Sequence, residues 1–516
     1  GGTVTLVAPT FEYNTIYENA LYNKGTMTIN GLVNIATNIK NEGGTLTISA
    51  ANNSILGNND GGVATSITGT AGEVIINNVS AIKSNIDNKE GSIFRINTTA
   101  PASNTQLNGT IDNAGELHIS YADILNTITT ADKGKTYFDN SVNISNKTVS
   151  VSNGGTLYIG GLNLNDAIID LTAGSNGVIT GTLNVSGASR VTINTGAVMT
   201  ISGATSNITE ADANNLIWYI FGELHLENGS KTLKIDNSDT WQGKITLAGG
   251  SSFEYSDNSG IPLTLTSLLI ESTDETSTFK NMGVDIELSS TDSLAGFMAK
   301  YYQYQGSLTS STSALFGGVK EFEGTSAKHS VAIITGELID LSGIVLNKYA
   351  DLNATLSSGD IDNNVLAFTG RNSTATFTGA GIDLTTYNLA NISMIDNTNK
   401  LTIKDATVTF KSEDITFNTG VYNFENVTMK LQDDDSKMNT YTFNYLTVGG
   451  VNNTLDLTVD MDLTAKTIDN LVIKATDSAK TQTIRLSDIN VMNIPTGTLT
   501  GAIELTLLTV YRRGIT

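Results

Sequence analysis

Gly25-Thr26-Met27-Thr28-Ile29 returns as Gly44-Thr45-Leu46-Thr47-Ile48, nineteen residues further along the chain. Gly72-Glu73-Val74-Ile75-Ile76 is followed at the same interval by Gly91-Ser92-Ile93-Phe94-Arg95-Ile96, and Gly115-Glu116-Leu117-His118-Ile119 by Gly134. Looser copies stand at Gly155-Thr156-Leu157-Tyr158-Ile159, Gly181-Thr182-Leu183-Asn184-Val185 and Gly222-Glu223-Leu224-His225-Leu226. Each copy reads as a turn followed by a short strand. A unit of that size cannot bury its own apolar face, so the units must stack.

Between the glycines, apolar and polar residues alternate: Val191 and Ile193 with Thr192 and Asn194, Met199 and Ile201 with Thr200. One face of each strand therefore points to a core and the other to solvent. Asn108-Gly109, Asp112-Asn113 and Gly154-Gly155 supply corner residues that tolerate positive φ. The pattern predicts an all-β fold, a right-handed parallel β-helix with coils of roughly 22 residues, in which asparagines of successive coils stack into ladders.

The 516 residues hold 51 acidic and 29 basic side chains, a net charge of −22. Such a surface is repelled by phosphate backbones and by anionic membranes, which argues against nucleic-acid partners. It suits a soluble extracellular protein that meets cations. There is no cysteine, which fits a bacterial surface protein that crosses a periplasm without being trapped by oxidation. No basic-plus-apolar leader opens the chain, so a signal peptide has been removed or the chain is a fragment. The richest apolar run, Leu216-Ile217-Trp218-Tyr219-Ile220-Phe221, is strand-sized.

One segment reads differently. From Thr291 to Gln305 the apolar Leu294, Phe297, Met298, Tyr301 and Tyr302 fall at helical spacing, with Asp292 or Ser293 as N-cap and Gly306 as stop. This predicts a short amphipathic helix inserted into the β-helix. Thr209-Glu210-Ala211-Asp212 resembles a capping box and predicts a second helical turn. The chain thus divides into a parallel β-helix over 1–290, a helix and Ser/Thr-rich insertion over 291–315, and a more irregular β-solenoid over 316–516. Its last strand-like run, Leu507 to Arg513, implies a longer parent.

Catalytic machinery is sparse. Thiol nucleophiles and zinc-thiolate sites are excluded, no Ser sits on a strained nucleophile turn, and His118, His225 and His329 lie far apart. His118 and His225 share a slot of the repeated phrase and are expected on the solvent face. Asp433-Asp434-Asp435 sits on an expected corner, either as a solvated acidic turn or as oxygen ligands for calcium. Calcium is the one cofactor considered. Trp241, Tyr301, Tyr302 and Tyr304 are candidate stacking faces for sugar rings, whereas Trp218, inside its apolar run, is read as core.

The Gly-Thr-Leu-x-Ile phrases, Asn-rich turns, missing cysteine and acidic balance resemble the passenger domains of bacterial autotransporters and related secreted adhesins. The resemblance lies in repeat style over most of 1–290 and more weakly over 316–516, and transfers no functional residue. It implies a parallel β-helix at the cell surface, attached to the outer membrane only through a segment missing here, that mediates adhesion, aggregation, biofilm formation or virulence. The chain is therefore read as a non-enzymatic surface adhesin or adhesive shaft, with host or matrix glycans, matrix proteins or sister copies as partners. Two rivals are a self-assembling surface-layer or filament subunit, and a β-helical polysaccharide lyase or hydrolase.

Overall fold

In a computed structural model of the chain the described residues are 3–7, 10–11, 21–51, 53–58, 65–98, 104–202, 207–210, 216–227, 233–236, 238–257, 259–289, 294–311, 316–336, 343–356, 366–379, 381–383, 392, 394–410, 413–432, 437–449, 454–476, 482–496 and 502–511. Among them every regular element is a strand, and the strands stack in parallel as a β-solenoid. Two compact units are distinguished, Gly1–Phe253 with Leu268–Ser277, and Glu254–Ser267 with Thr278–Thr516.

In the first unit the repeated phrases lie on top of one another. Val4, Met27, Leu46, Val74, Phe94, Leu117, Thr136, Leu157, Gly177, Met199, Leu224, Ile245 and Ile270 pair in register, one per coil. From Leu46 to Phe94, and again at Leu117, Leu157, Met199, Leu224 and Ile245, these side chains are sealed from solvent. Each fully buried Leu or Ile contributes about 1.5–3 kcal/mol of transfer free energy, so stacking supplies the core that no single coil could hold. Gly177 belongs to the column because a Cβ there would come within 2.7 Å of the Met199 Sδ.

Asparagine ladders form inside as well as outside. Asn23 Nδ2 donates to Asn41 Oδ1, and Asn88 Nδ2 to Asn113 Oδ1, each at 2.7 Å between buried partners. Pairing of this kind satisfies amides that would otherwise be costly to bury.

The phrase glycines are explained chiefly by close approach between coils. Gly72 has φ +75°, and a Cβ there would lie 2.2 Å from the Gly44 carbonyl oxygen. Gly181-Thr182-Leu183-Asn184-Val185, read above as a copy of the phrase, falls in a different column. Leu183 pairs with Leu162 and Ile208, and Gly177 holds the place beside Leu157.

The second unit carries a comparable column: Leu263, Ile286, Leu308, Ala332, Leu352, Ala375, Leu401, Tyr422 and Leu446. A short antiparallel pairing, Met461 with Ile468 and Asp462 with Thr467, also occurs here.

Over the described part of the expected helix, 294–305, no helix is formed; Asp292 and Ser293 lie outside the described residues. Leu294 and Phe297 close a tight turn (Phe297 N–H to Leu294 O, 2.9 Å), and strands Lys300–Tyr304 and Gly306–Ser310 follow. The buried positions are Phe297, Ala299, Tyr301 and Gln303, a period of two. Gln303 breaks the apolar alternation at a buried position, so the period of two is not legible from hydrophobicity alone. It is fully buried, accepts from Asn281 Nδ2 at 2.8 Å and donates to the Val284 carbonyl at 3.1 Å. The second expected helical turn also fails at its start, since Thr209 and Glu210 end the strand Asn207–Glu210; Ala211 and Asp212 lie outside the described residues.

Candidate functional site

Four long strands of the first unit, Glu116–Ile124, Lys135–Ser145, Thr156–Asn165 and Asn176–Ser186, each run along one face, turn a corner and continue along the next. The corner is marked by register shifts beside Ser120, between Phe138 and Val142, and beside Gly161. Tyr121 and Ser141 take positive φ there, at 53° and 44°. A bulge of this kind bends a strand without ending its pairing. The two limbs therefore present separate sets of outward columns from the same four coils.

On the first limb His118, Tyr137 and Tyr158 are register partners. Their rings stack with centroids 4.3 and 4.5 Å apart and planes within 2° and 4° of parallel. The faces of these rings are turned to one another along the stack, so what they offer outward is their edges. Charged groups surround the base of the stack. Arg95 Nε lies 2.7 Å from Glu73 Oε1, His118 Nε2 lies 2.8 Å from Glu116 Oε1, and His118 Nδ1 lies 3.1 Å from Asp139 Oδ2. The hydrogen bond that His118 donates to the Asp139 carboxylate raises its pKa above the ordinary value, against partial burial, with Glu116 adding to the rise.

On the second limb an amide ladder faces outward. Asn184 Nδ2 donates to Asn163 Oδ1 at 2.7 Å, Asn163 Nδ2 to Asn143 Oδ1 at 2.6 Å, and Asn143 Nδ2 to Asp123 Oδ1 at 2.7 Å. Asn104 Nδ2 donates to the same Asp123 oxygen at 2.8 Å. Every bond runs in one sense toward a carboxylate, the arrangement in which successive hydrogen bonds polarise one another. Two residues further along each strand, Ser145, Asn165 and Ser186 form a second outward column. Between the columns lies a groove of about 570 Å³, lined also by Ile124, Leu125 and Leu164. That volume lies within the range of small-ligand sites.

The residues singled out by sequence are placed differently. Trp241 is half-buried, its indole N–H donates to the Gly243 carbonyl at 2.9 Å, and its ring meets Phe253 edge-on at 5.1 Å. Tyr301 is fully buried and stacks on Phe316 at 4.5 Å, so it offers no face to a sugar. Tyr302 and Tyr304 do point outward from the strand Lys300–Tyr304. The Tyr302 hydroxyl donates to Glu323 at 2.9 Å, and its pKa is pushed up by burial and by that carboxylate. Trp218 is core, and His225, paired with Glu223 at 3.1 Å, faces outward. Asp433, Asp434 and Asp435 lie outside the described residues. Among the described residues no group of three or more His, Asp or Glu is arranged to hold a metal ion.

Sequence reasoning passed over Asp123, Asn143, Asn163, Asn184, Tyr137 and Tyr158. A signal for the ladder was present, since its members recur at separations of 20, 20 and 21 residues. Only Asn184 stands within a quoted glycine phrase; Asp123, Asn143 and Asn163 lie on the limb after the corner, outside those phrases. No protein-family model matches the chain, and comparison with curated proteins finds no match in sequence. The arrangement defines a parallel β-solenoid with ordered polar columns on its outer faces.

Proposed function

We infer that the chain is a non-enzymatic adhesive shaft, displayed outside a bacterial cell and contacting glycans, matrix proteins or sister copies through its outward strand faces. The observation that carries this reading is the amide ladder with its groove. Polar side chains repeated once per coil, and fixed by one another, are suited to many weak contacts that sum by avidity. The net charge of −22 and the absence of cysteine fit a soluble extracellular protein. Among the described residues no helix is long and apolar enough to cross a membrane.

A second reading, a β-helical glycan-cleaving enzyme, is favoured by one observation. Arg95, Glu73, Glu116, His118 and Asp139 gather acids and bases on one outward face. Their mutual pairing favours a structural role, since each charge already faces an opposite neighbour.

Both readings are tested by presenting the purified chain to a glycan and matrix-protein array, with and without calcium, and on beads scored for clumping, while the supernatant is examined for sugar fragments. Binding or clumping without fragments is the expected result. Released fragments would replace the adhesin by the enzyme. A calcium requirement would direct attention to Asp433, Asp434 and Asp435.

A further inference from the structure

The groove on the second limb of Glu116–Ile124, Lys135–Ser145, Thr156–Asn165 and Asn176–Ser186 has a chemistry that selects among ligands. An asparagine amide carries two N–H donors and an oxygen with two lone pairs. Within the ladder Asn143 and Asn163 each spend one donor and one lone pair on their neighbours. Each therefore keeps a donor and an acceptor side by side, the combination a hydroxyl group matches, since it both gives and takes a hydrogen bond. The amides are held by the ladder before any ligand arrives, so little side-chain freedom remains to be lost on binding. Successive rungs stand about 4.8 Å apart, close to the rise of one pyranose in an extended chain.

Charge narrows the class. The lining of Asp123, Ile124, Leu125, Asn143, Ser145, Asn163, Leu164, Asn165 and Ser186 contains one carboxylate and no cation. Uronates, sulfated sugars and phosphate backbones would meet Asp123 with nothing to offset the repulsion. Extended peptides added at a strand edge need unpaired backbone, yet Lys135–Ser145 and Thr156–Asn165 are both paired on either side. The apolar contribution is small, led by Leu125 at 40% exposure, and suits the C–H face of a sugar better than a lipid chain.

Building on the adhesive reading, we propose that this groove is a binding site for a linear, uncharged polysaccharide lying along the solenoid axis. Its hydroxyls bridge the Asn143 and Asn163 rungs, and Asp123 accepts from a hydroxyl at one end. With no ring face to stack on, a single chain is held weakly, and strength comes from repeated attachment.

The test uses the whole chain and two probes of equal length, a neutral β-linked glucan oligosaccharide and an oligogalacturonate, titrated by NMR. The glucan should bind at least about tenfold more tightly than the uronate. Asn143→Ala with Asn163→Ala should weaken glucan binding about tenfold. Asn165→Trp fills the groove while leaving the ladder bonds alone, and should have the same effect if the double variant misfolds. Equal binding of both probes, or glucan binding unchanged in a folded groove variant, overturns the assignment. If the assignment is overturned in this way while array binding or clumping persists, the adhesive reading stands and only the groove is lost. If the unaltered chain binds neither probe nor any array ligand and clumps no beads, both fall.

Discussion

Rings stack on the outside of one unit and on the inside of the other. In the first unit the column through Leu46, Val74, Leu117, Leu157 and Leu224 is almost wholly aliphatic, and the parallel stack of His118, Tyr137 and Tyr158 stands on the outer face. In the second unit Tyr301 packs on Phe316 at 4.5 Å and Phe417 on Phe443 at 4.2 Å, all within the core. Both units carry ion pairs on their outer faces, Arg95 with Glu73 in the first and Arg485 with Asp456 in the second, and the first adds the amide ladder. In-register parallel stacking brings equivalent positions together on whichever side the register puts them. What the column then does depends on whether water can reach it.

The sharpest way to break this comparison is to remove one ring of each kind. Phe443→Ala leaves a cavity in the second unit's core and is expected to cost about 3–5 kcal/mol. Tyr158→Ala removes a half-buried ring from the outer stack, about 0.5–1.5 kcal/mol. Urea unfolding followed by far-UV circular dichroism measures both. Tryptophan emission follows the first unit alone, because Trp218 and Trp241 both lie there. Equal losses in the two variants would mean that the inside and outside stacks are energetically alike.

Corner glycines sharpen the comparison at a smaller scale. A Cβ at Gly181 would lie 1.9 Å from the Gly160 carbonyl oxygen, whereas one at Gly296 in the second unit meets nothing within 4 Å. Gly181→Ala should therefore cost more than about 1 kcal/mol, and Gly296→Ala should stay within about 0.5 kcal/mol of the parent. Thermal unfolding of the two variants side by side checks the difference, and a harmless Gly181→Ala would refute close coil approach at this corner.

The smallest effect concerns pH. Asp139 and Glu116 raise the His118 pKa above its ordinary 6.5. Its contribution to stability is therefore fully present below pH 6.5 and fades as the pH rises through the folded-state value. His118→Gln should fall furthest behind the parent in acid and approach it in alkali. A gap independent of pH would show that the imidazole acts by stacking on Tyr137 alone.

Much of the fold could be read directly: the parallel stacked coils, the inward apolar column, the core position of Trp218 and the outward position of His118 and His225. The candidate site could not. Tyr301 and Tyr302 looked equivalent on a helical wheel, yet one is sealed in the core and the other faces outward. Gln303 decided that difference by burying its amide against Asn281.

The sequence by itself determined that this protein is a stack of short strands, because alternation and the glycine phrase are local and each copy repeats the same packing problem. Only the tertiary structure decided which distant residues share a column. Coil lengths vary, and bulges at Ser120 and Ser141 reset the inward and outward phase at each corner. That asparagines stack into ladders is expected from the sequence, but that Asp123, Asn143, Asn163 and Asn184 share one is settled only once the coils are closed upon one another.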